Sequence, residues 1–162
     1  MDKKTHIWHL LDDVCDPEIP VLSVTDLGIV RDVKLLENAV EIIITPTYSG
    51  CPAMDMIAVN IKAGLQAKGV ENVKVTLVFT PAWTTDWMTE RGRERLRAYG
   101  IAPPEEEIGD KMALFSEGPK VACPRCNSLK TKVLSNFGST ACKAMYQCET
   151  CKEPFDYFKC HK

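Results

Sequence analysis

No stretch of this 162-residue chain strings together the ~20 apolar residues that a membrane-spanning helix needs. The amino terminus, MDKKTHIWHLLDDVCDPEIP, is basic only at Lys3 and Lys4, and acids interrupt it before an apolar export core can form. The expectation is an unexported, cytoplasmic chain without a membrane partner. Histidine is scarce: His6, His9 and His161 are the only three, so an enzyme with a histidine base has few places to put one. Basic residues are sparse over most of the length. Residues 1–119 hold 12 Lys+Arg against 19 Asp+Glu, a net −7, which speaks against a nucleic-acid partner. There is no internal repeat.

What remains is a globular composition, 45% hydrophobic and 26% charged, with one abrupt change. Residues 120–162 carry 8 Lys+Arg against 3 Asp+Glu, a net +5, and six of the eight cysteines lie at or beyond Cys123. Ahead of that change, Ile7, Leu10, Leu11 and Val14 fall at helical spacing, with Thr5 placed to cap the helix. The prolines of CDPEIP stop it. IVRDVKLLE and AVEIIIT read as strands of a hairpin turning at Glu37-Asn38. PAMDMIAVNIKAGLQAKG is a helix with Ile57, Ile61 and Leu65 on one face, and NVKVTLVFT alternates as a strand. TTDWMTERGRERLRAYG reads as a charged amphipathic helix with Trp87, Leu96 and Tyr99 as candidate buried positions. The expected architecture is therefore α+β, in the order α-β-β-α-β-α over residues 1–102. A linker follows at 103–120, and then a small cysteine-rich domain at 121–162.

That last domain contains Cys123, Cys126, Cys148 and Cys151 in the pattern C-x₂-C-x₂₁-C-x₂-C, a zinc-ribbon spacing. Each CxxC turn can aim two sulfurs at one centre, and two turns complete a tetrahedron. So short a domain buries little core, so one structural Zn²⁺ per chain would supply most of its folding free energy. Spacing alone does not separate zinc from iron. Cys142, Cys160 and His161 are left over. One of them could replace an assumed ligand, or together they could line a second, looser site. Otherwise Cys142 is a small buried residue and KCHK a chain end. Phe155, Tyr157 and Phe158 are expected to pack the ribbon rather than stack on bases.

Cys51 stands apart, in TPTYSGCPAMDM. With Pro52 as first helical residue, Cys51 takes the N-cap, where unpaired N–H groups and the helix dipole favour a thiolate. Thr47, Tyr48 and Ser49 can supply hydroxyls nearby. Such a thiol can be a nucleophile, a redox centre or a metal ligand; it can also be a cysteine that merely precedes a helix. Asp16 and Glu18 offer two carboxylates in the Pro-stiffened DPEIP loop, and DLG follows at Asp26 to Gly28.

DPEIPVLSVTDLGIV, TPTYSGCPAMDMI and TPAWTTDWMTERGRERLRAYGIAPP resemble the small iron–sulfur assembly domain of SufT-like factors. The tryptophan-rich stretch and the ribbon, FGSTACKAMYQCETCKEPFDYFKCH, are closer still to the PaaD family of bacterial phenylacetyl-CoA epoxidase systems. The resemblance covers nearly the whole chain. It implies an accessory maturation factor, not the oxygenating enzyme, acting in aerobic phenylacetate degradation. Its client would be the iron–sulfur reductase of the multicomponent monooxygenase. It further implies that Cys51 transiently holds iron or an iron–sulfur cluster, with Asp16 and Glu18 shaping that site and Thr47 in the matching TPT segment. The implied partners are the reductase, other oxygenase subunits and the iron–sulfur assembly machinery. A lone thiolate also invites a second ligand from a homodimer mate. Two rival readings stay open. One is a thiol enzyme with Cys51 as nucleophile. The other is a non-catalytic docking component that uses the ribbon, with Trp83 and Trp87 as core or interface residues.

Overall fold

The computed structural model of the chain describes residues 1–104 and 120–159. They belong to two compact units that divide between Gly92 and Arg93. In the first, α1 (Lys3–Leu11) leads to β1 (Val30–Leu35) and β2 (Val40–Ile44), then α2 (Ala53–Ala67), β3 (Val73–Leu77) and a short 3₁₀ turn, Thr85–Trp87. β1 and β2 form the expected antiparallel hairpin, while β3 returns parallel to β2, giving the sheet order β1-β2-β3. A parallel neighbour needs a crossover, and α2 is that crossover. Its buried face (Ala53, Met54, Ile57, Ile61, Leu65) meets a core built from Ile7 and Leu11 of α1 and Val33, Ile42 and Ile44 of the strands. Each fully buried Ile or Leu contributes about 1.5–3 kcal/mol. Along β2, Val40, Ile42 and Ile44 are buried and Glu41 and Ile43 half-buried, the pattern of one face buried and one half-covered.

Three local expectations shift. The cap of α1 is Asp2, whose Oδ1 accepts from Thr5 N at 3.0 Å while Thr5 Oγ1 donates to Oδ2 at 2.6 Å, so Thr5 lies one turn inside the helix. A carboxylate at the positive helix end outcompetes a hydroxyl three residues later. The helix expected from Thr84 onward is interrupted at Met88, and α3 runs Glu90–Tyr99. Thr89 restarts it, its Oγ1 accepting from Gly92 N at 3.0 Å. Leu96 is fully buried as expected, but Tyr99 is 54% exposed. Trp83 is buried, its Nε1 donating to Leu27 O at 2.9 Å, and Trp87 is half-buried under the Arg31 guanidinium, 3.5 Å from its ring centre.

Gly28 joins this region to the DLG loop. Its φ is +74°, and a Cβ there would lie 2.1 Å from the Trp87 carbonyl oxygen. Both the backbone conformation and the space demand glycine.

The second unit holds a four-stranded sheet in the order β4-β7-β6-β5, from β4 (Ile101–Ala102), β5 (Thr131–Ser135), β6 (Lys143–Cys148) and β7 (Pro154–Phe158). β5, β6 and β7 pair antiparallel, and β4 lies parallel to β7. Ala102, Val121, Ala144, Tyr146 and Phe155 pack with Cys123 and Cys148 as its core, and Tyr146 stacks on Phe155 at 5.9 Å. Residues 101–102, expected at the end of the first domain, pair with the ribbon strands, and the chain passes from one compact unit to the other between Gly92 and Arg93. Most of the expected linker, 105–119, lies outside the described residues.

Candidate functional site

Two tight turns present the four ribbon cysteines. After each CxxC pair the next residue adopts a left-handed conformation, Asn127 at φ 59° and Lys152 at φ 66°. The chain doubles back there, with Asn127 N bonded to Cys123 O at 2.9 Å and Cys148 N to Glu153 O at 3.0 Å. The four Sγ atoms all lie within 4.8 Å of one another, with Cys123–Cys151 at 3.7 Å and Cys126–Cys148 at 3.5 Å. A tetrahedral metal at about 2.3 Å from each sulfur requires sulfur–sulfur edges of about 3.8 Å. The cluster therefore fits one four-thiolate metal ion with little adjustment. Cys123 and Cys148 are buried, Cys151 is half-buried and Cys126 is exposed. Backbone N–H groups of Cys151 and Thr150 lower the pKa of the Cys148 thiol from its ordinary value, favouring the thiolate form that a metal binds. Cys142 is buried, with Thr140 Oγ1 3.1 Å from its sulfur, and is not one of the four. Cys160 and His161 lie outside the described residues.

Cys51 is half-buried, at the entry to α2. The helix N-cap is Pro52 (φ −69°, ψ −18°), so Cys51 sits one residue further out than expected. Its carbonyl accepts from Met54 N and its N–H donates to Tyr48 O, both at 3.3 Å, a turn that Gly50 permits with φ +83°. Cys51 thus remains at the mouth of the helix as a half-buried residue.

Asp16 is buried, and its Oδ1 accepts from Glu18 N at 2.7 Å and Ile19 N at 3.0 Å. These bonds close the DPEIP loop on itself. Glu18 and Thr47 are half-buried. Among the described residues the four ribbon cysteines form the only metal-sized cluster of three or more His, Cys, Asp or Glu ligand atoms; Cys51, Asp16 and Glu18 do not form a second one.

Two polar features were not singled out from the sequence. Thr45, the first Thr of TPT, is buried with no hydrogen-bond partner for its Oγ1 among the described residues. The other is a charge network around Asp26, which is completely buried. Its Oδ1 accepts from Thr89 Oγ1 and Arg91 Nε, both at 2.7 Å, while Arg91 Nη2 reaches Asp12 Oδ1 at 2.8 Å and Thr25 Oγ1 donates to the same oxygen. Partial burial would raise the Asp12 pKa, but the bonds from Arg91 and Thr25 outweigh it and hold the carboxyl below its ordinary value. The network ties the end of α1, the DLG loop and the start of α3 together. The only legible sign was a polar cluster in a turn.

The fold and the site define a mixed α/β domain with a thiol at a helix entry, followed by a four-cysteine metal-binding ribbon. The comparisons agree piece by piece. Residues 4–77 match the iron–sulfur cluster assembly protein family, and residues 108–159 match the PaaD zinc beta ribbon domain. A protein of Escherichia coli (strain K12), provisionally named as the D subunit of 1,2-phenylacetyl-CoA epoxidase, is 53% identical over 154 residues, 95% of this chain and 91% of that one. An Fe-S protein maturation auxiliary factor of Porphyromonas gingivalis (strain ATCC BAA-308 / W83) is 40% identical over 52% of this chain and 81% of its own length. The crystal structure of a domain of unknown function, DUF59, from Bacillus anthracis superposes with a TM-score of 0.53 at 29% identity, over 57% of this chain and 90% of that one. The chain belongs to the PaaD family of phenylacetyl-CoA epoxidase systems.

Proposed function

We propose that this protein is a non-catalytic maturation factor of the cytoplasm that helps place an iron–sulfur cluster in the reductase of a phenylacetyl-CoA monooxygenase system. The observation that carries this reading is the half-exposed Cys51 at the entry of α2, inside the segment that matches iron–sulfur cluster assembly proteins. A half-buried thiol that belongs to no cluster of three or more metal-ligating side chains among the described residues binds soft metal weakly and releases it readily, as a donor must. In this reading Cys51 carries iron or a cluster in passing, as cargo. Asp16 sets the backbone of the loop that presents Glu18, and Thr47 lies in the strand-to-helix turn that leads to the thiol. The ribbon holds one structural zinc through Cys123, Cys126, Cys148 and Cys151. It acts as the module that meets the reductase, other oxygenase subunits or the assembly machinery.

The test is replacement of Cys51 by alanine in cells growing on phenylacetate. The reductase should accumulate to normal levels but contain less than about a tenth of its iron and sulfide, while zinc in the variant stays at one per chain. A fully metallated reductase in that strain would remove Cys51 from the reading.

The name of the Escherichia coli relative, as part of an epoxidase, favours a second reading: a docking component retained in the oxygenase complex. It requires co-purification at fixed stoichiometry and full oxygenase activity with Cys51→Ala.

A further inference from the structure

The two sheets have four edges among the described residues, and three are blunted. β1 carries a bulge at Val30/Asp32 and the charged side chains of Arg31, Asp32 and Lys34. β5 carries a bulge at Val133/Ser135 and Lys132, and β4 is two residues long. Bulges, charges and short length are the ordinary protections of a sheet edge. β3 is the least protected: it runs five residues in unbroken register with no bulge, and its one charge, Lys74, is paired with Glu41 at 3.0 Å on the neighbouring strand.

The backbone parity of β3 is fixed by two bonds. Val40 N donates to Asn72 O at 2.8 Å and Val78 N donates to Ile44 O at 2.9 Å, so even-numbered residues face β2. Val73, Val75 and Leu77 therefore turn their N–H and C=O groups to the open edge. Their side chains are incompletely covered: Val73 and Val75 are half-buried and Leu77 is 41% exposed, with Phe79 at 57% just beyond.

We propose that β3 pairs with β3 of a second copy, antiparallel about a two-fold axis through Val75. The strand is complementary to itself in that register. Val75 meets its own counterpart as a hydrogen-bonded pair, and Val73 meets Leu77 as another, so every outward backbone group finds a partner. On that face the opposed side chains are aliphatic. On the other face Lys74 stands opposite Thr76, which itself donates to Glu41 Oε1 at 2.6 Å, so no like charges meet. The contact is isologous and closes at two copies, leaving one continuous sheet whose outer edges are the two protected β1 strands. The occupant is specified by its chemistry: an extended strand of opposite direction with aliphatic residues at alternate positions, which this chain supplies. The pairing uses neither Cys51 nor the ribbon and stands or falls apart from the maturation reading.

Sedimentation equilibrium on the full chain should give twice 18.1 kDa at tens of micromolar and approach 18.1 kDa on dilution. Over the same range the amides of Val73, Val75 and Leu77 should gain at least tenfold protection from exchange with the rise in dimer. Val75→Pro removes an outward N–H without touching a bond to β2, which an edge strand tolerates, and should give a monomer. Val75→Lys sets two lysines opposite each other and should do the same. A wild-type chain that stays at 18.1 kDa up to about 1 mM overturns the proposal. So does a dimer in which those three amides exchange freely, a reading that needs neither variant to fold. A dimer that survives both substitutions in folded variants overturns it as well.

Discussion

Replacing Arg91 by methionine removes the cation that bridges Asp12 and Asp26 and leaves the hydrophobic stem nearly intact. Asp26 is fully buried, with the Arg91 Nε 2.7 Å from its carboxylate. Removing one partner of a buried pair costs about 3–5 kcal/mol, because a desolvated charge is left behind. The Arg91 side chain is 48% exposed, so water can enter where the guanidinium stood, and the low end of that range applies. The Asp12 arm, on a carboxylate 33% exposed, adds less than about 1 kcal/mol. The expected loss is about 3 kcal/mol. With a urea m-value of about 2 kcal/mol/M it lowers the midpoint by about 1.5 M, read by tryptophan fluorescence. The double variant R91M/D26L should lose only about half as much, since no buried charge remains. A pH arm checks the sign. The Asp12 carboxyl is held below its ordinary value, so its contribution is present above about pH 4 and fades as the medium is acidified through the folded-state value. That part of the acid limb should flatten in R91M. A single variant within about 0.5 kcal/mol of wild type, or a double variant whose loss equals the sum of the two single losses, refutes the reasoning.

Gly28→Ala should lose about 2–5 kcal/mol and lower Tm by roughly 5–15 °C. Its Cβ would meet the Trp87 carbonyl at 2.1 Å, whereas Gly69→Ala, at φ +89° with open space around it, should lose only about 1 kcal/mol. Stripping metal with a strong chelator should expose four additional thiols per chain to a thiol reagent. It should also melt amide protection in β5, β6 and β7 while Val33, Ile42 and Ile57 stay protected; elemental analysis before stripping should return one zinc per chain.

The strands and α2 were legible because their apolar periods, 2 and 3.6, are written locally in VEIII and in Ile57, Ile61 and Leu65. The metal cluster was equally legible, since two CxxC turns have few other uses. The break at Met88 was not: Thr89 restarts a helix across a stretch whose composition reads as continuous. The Asp26 network was hidden because Asp12, Asp26 and Arg91 are joined only by the tertiary fold. The thiol was found by its place between a glycine and a proline. Its offset from the cap by one residue depends on the turn that Tyr48 and Gly50 make.

Ile101 and Ala102 stand far from the cysteines in sequence yet supply the outermost strand of their sheet, and Ala102 is one of its core residues. A ribbon excised at the composition boundary near Val121 would lack that strand and leave β7 uncovered on one side. An autonomous ribbon fragment must therefore begin upstream of Ile101, on the amino-terminal side of the composition boundary.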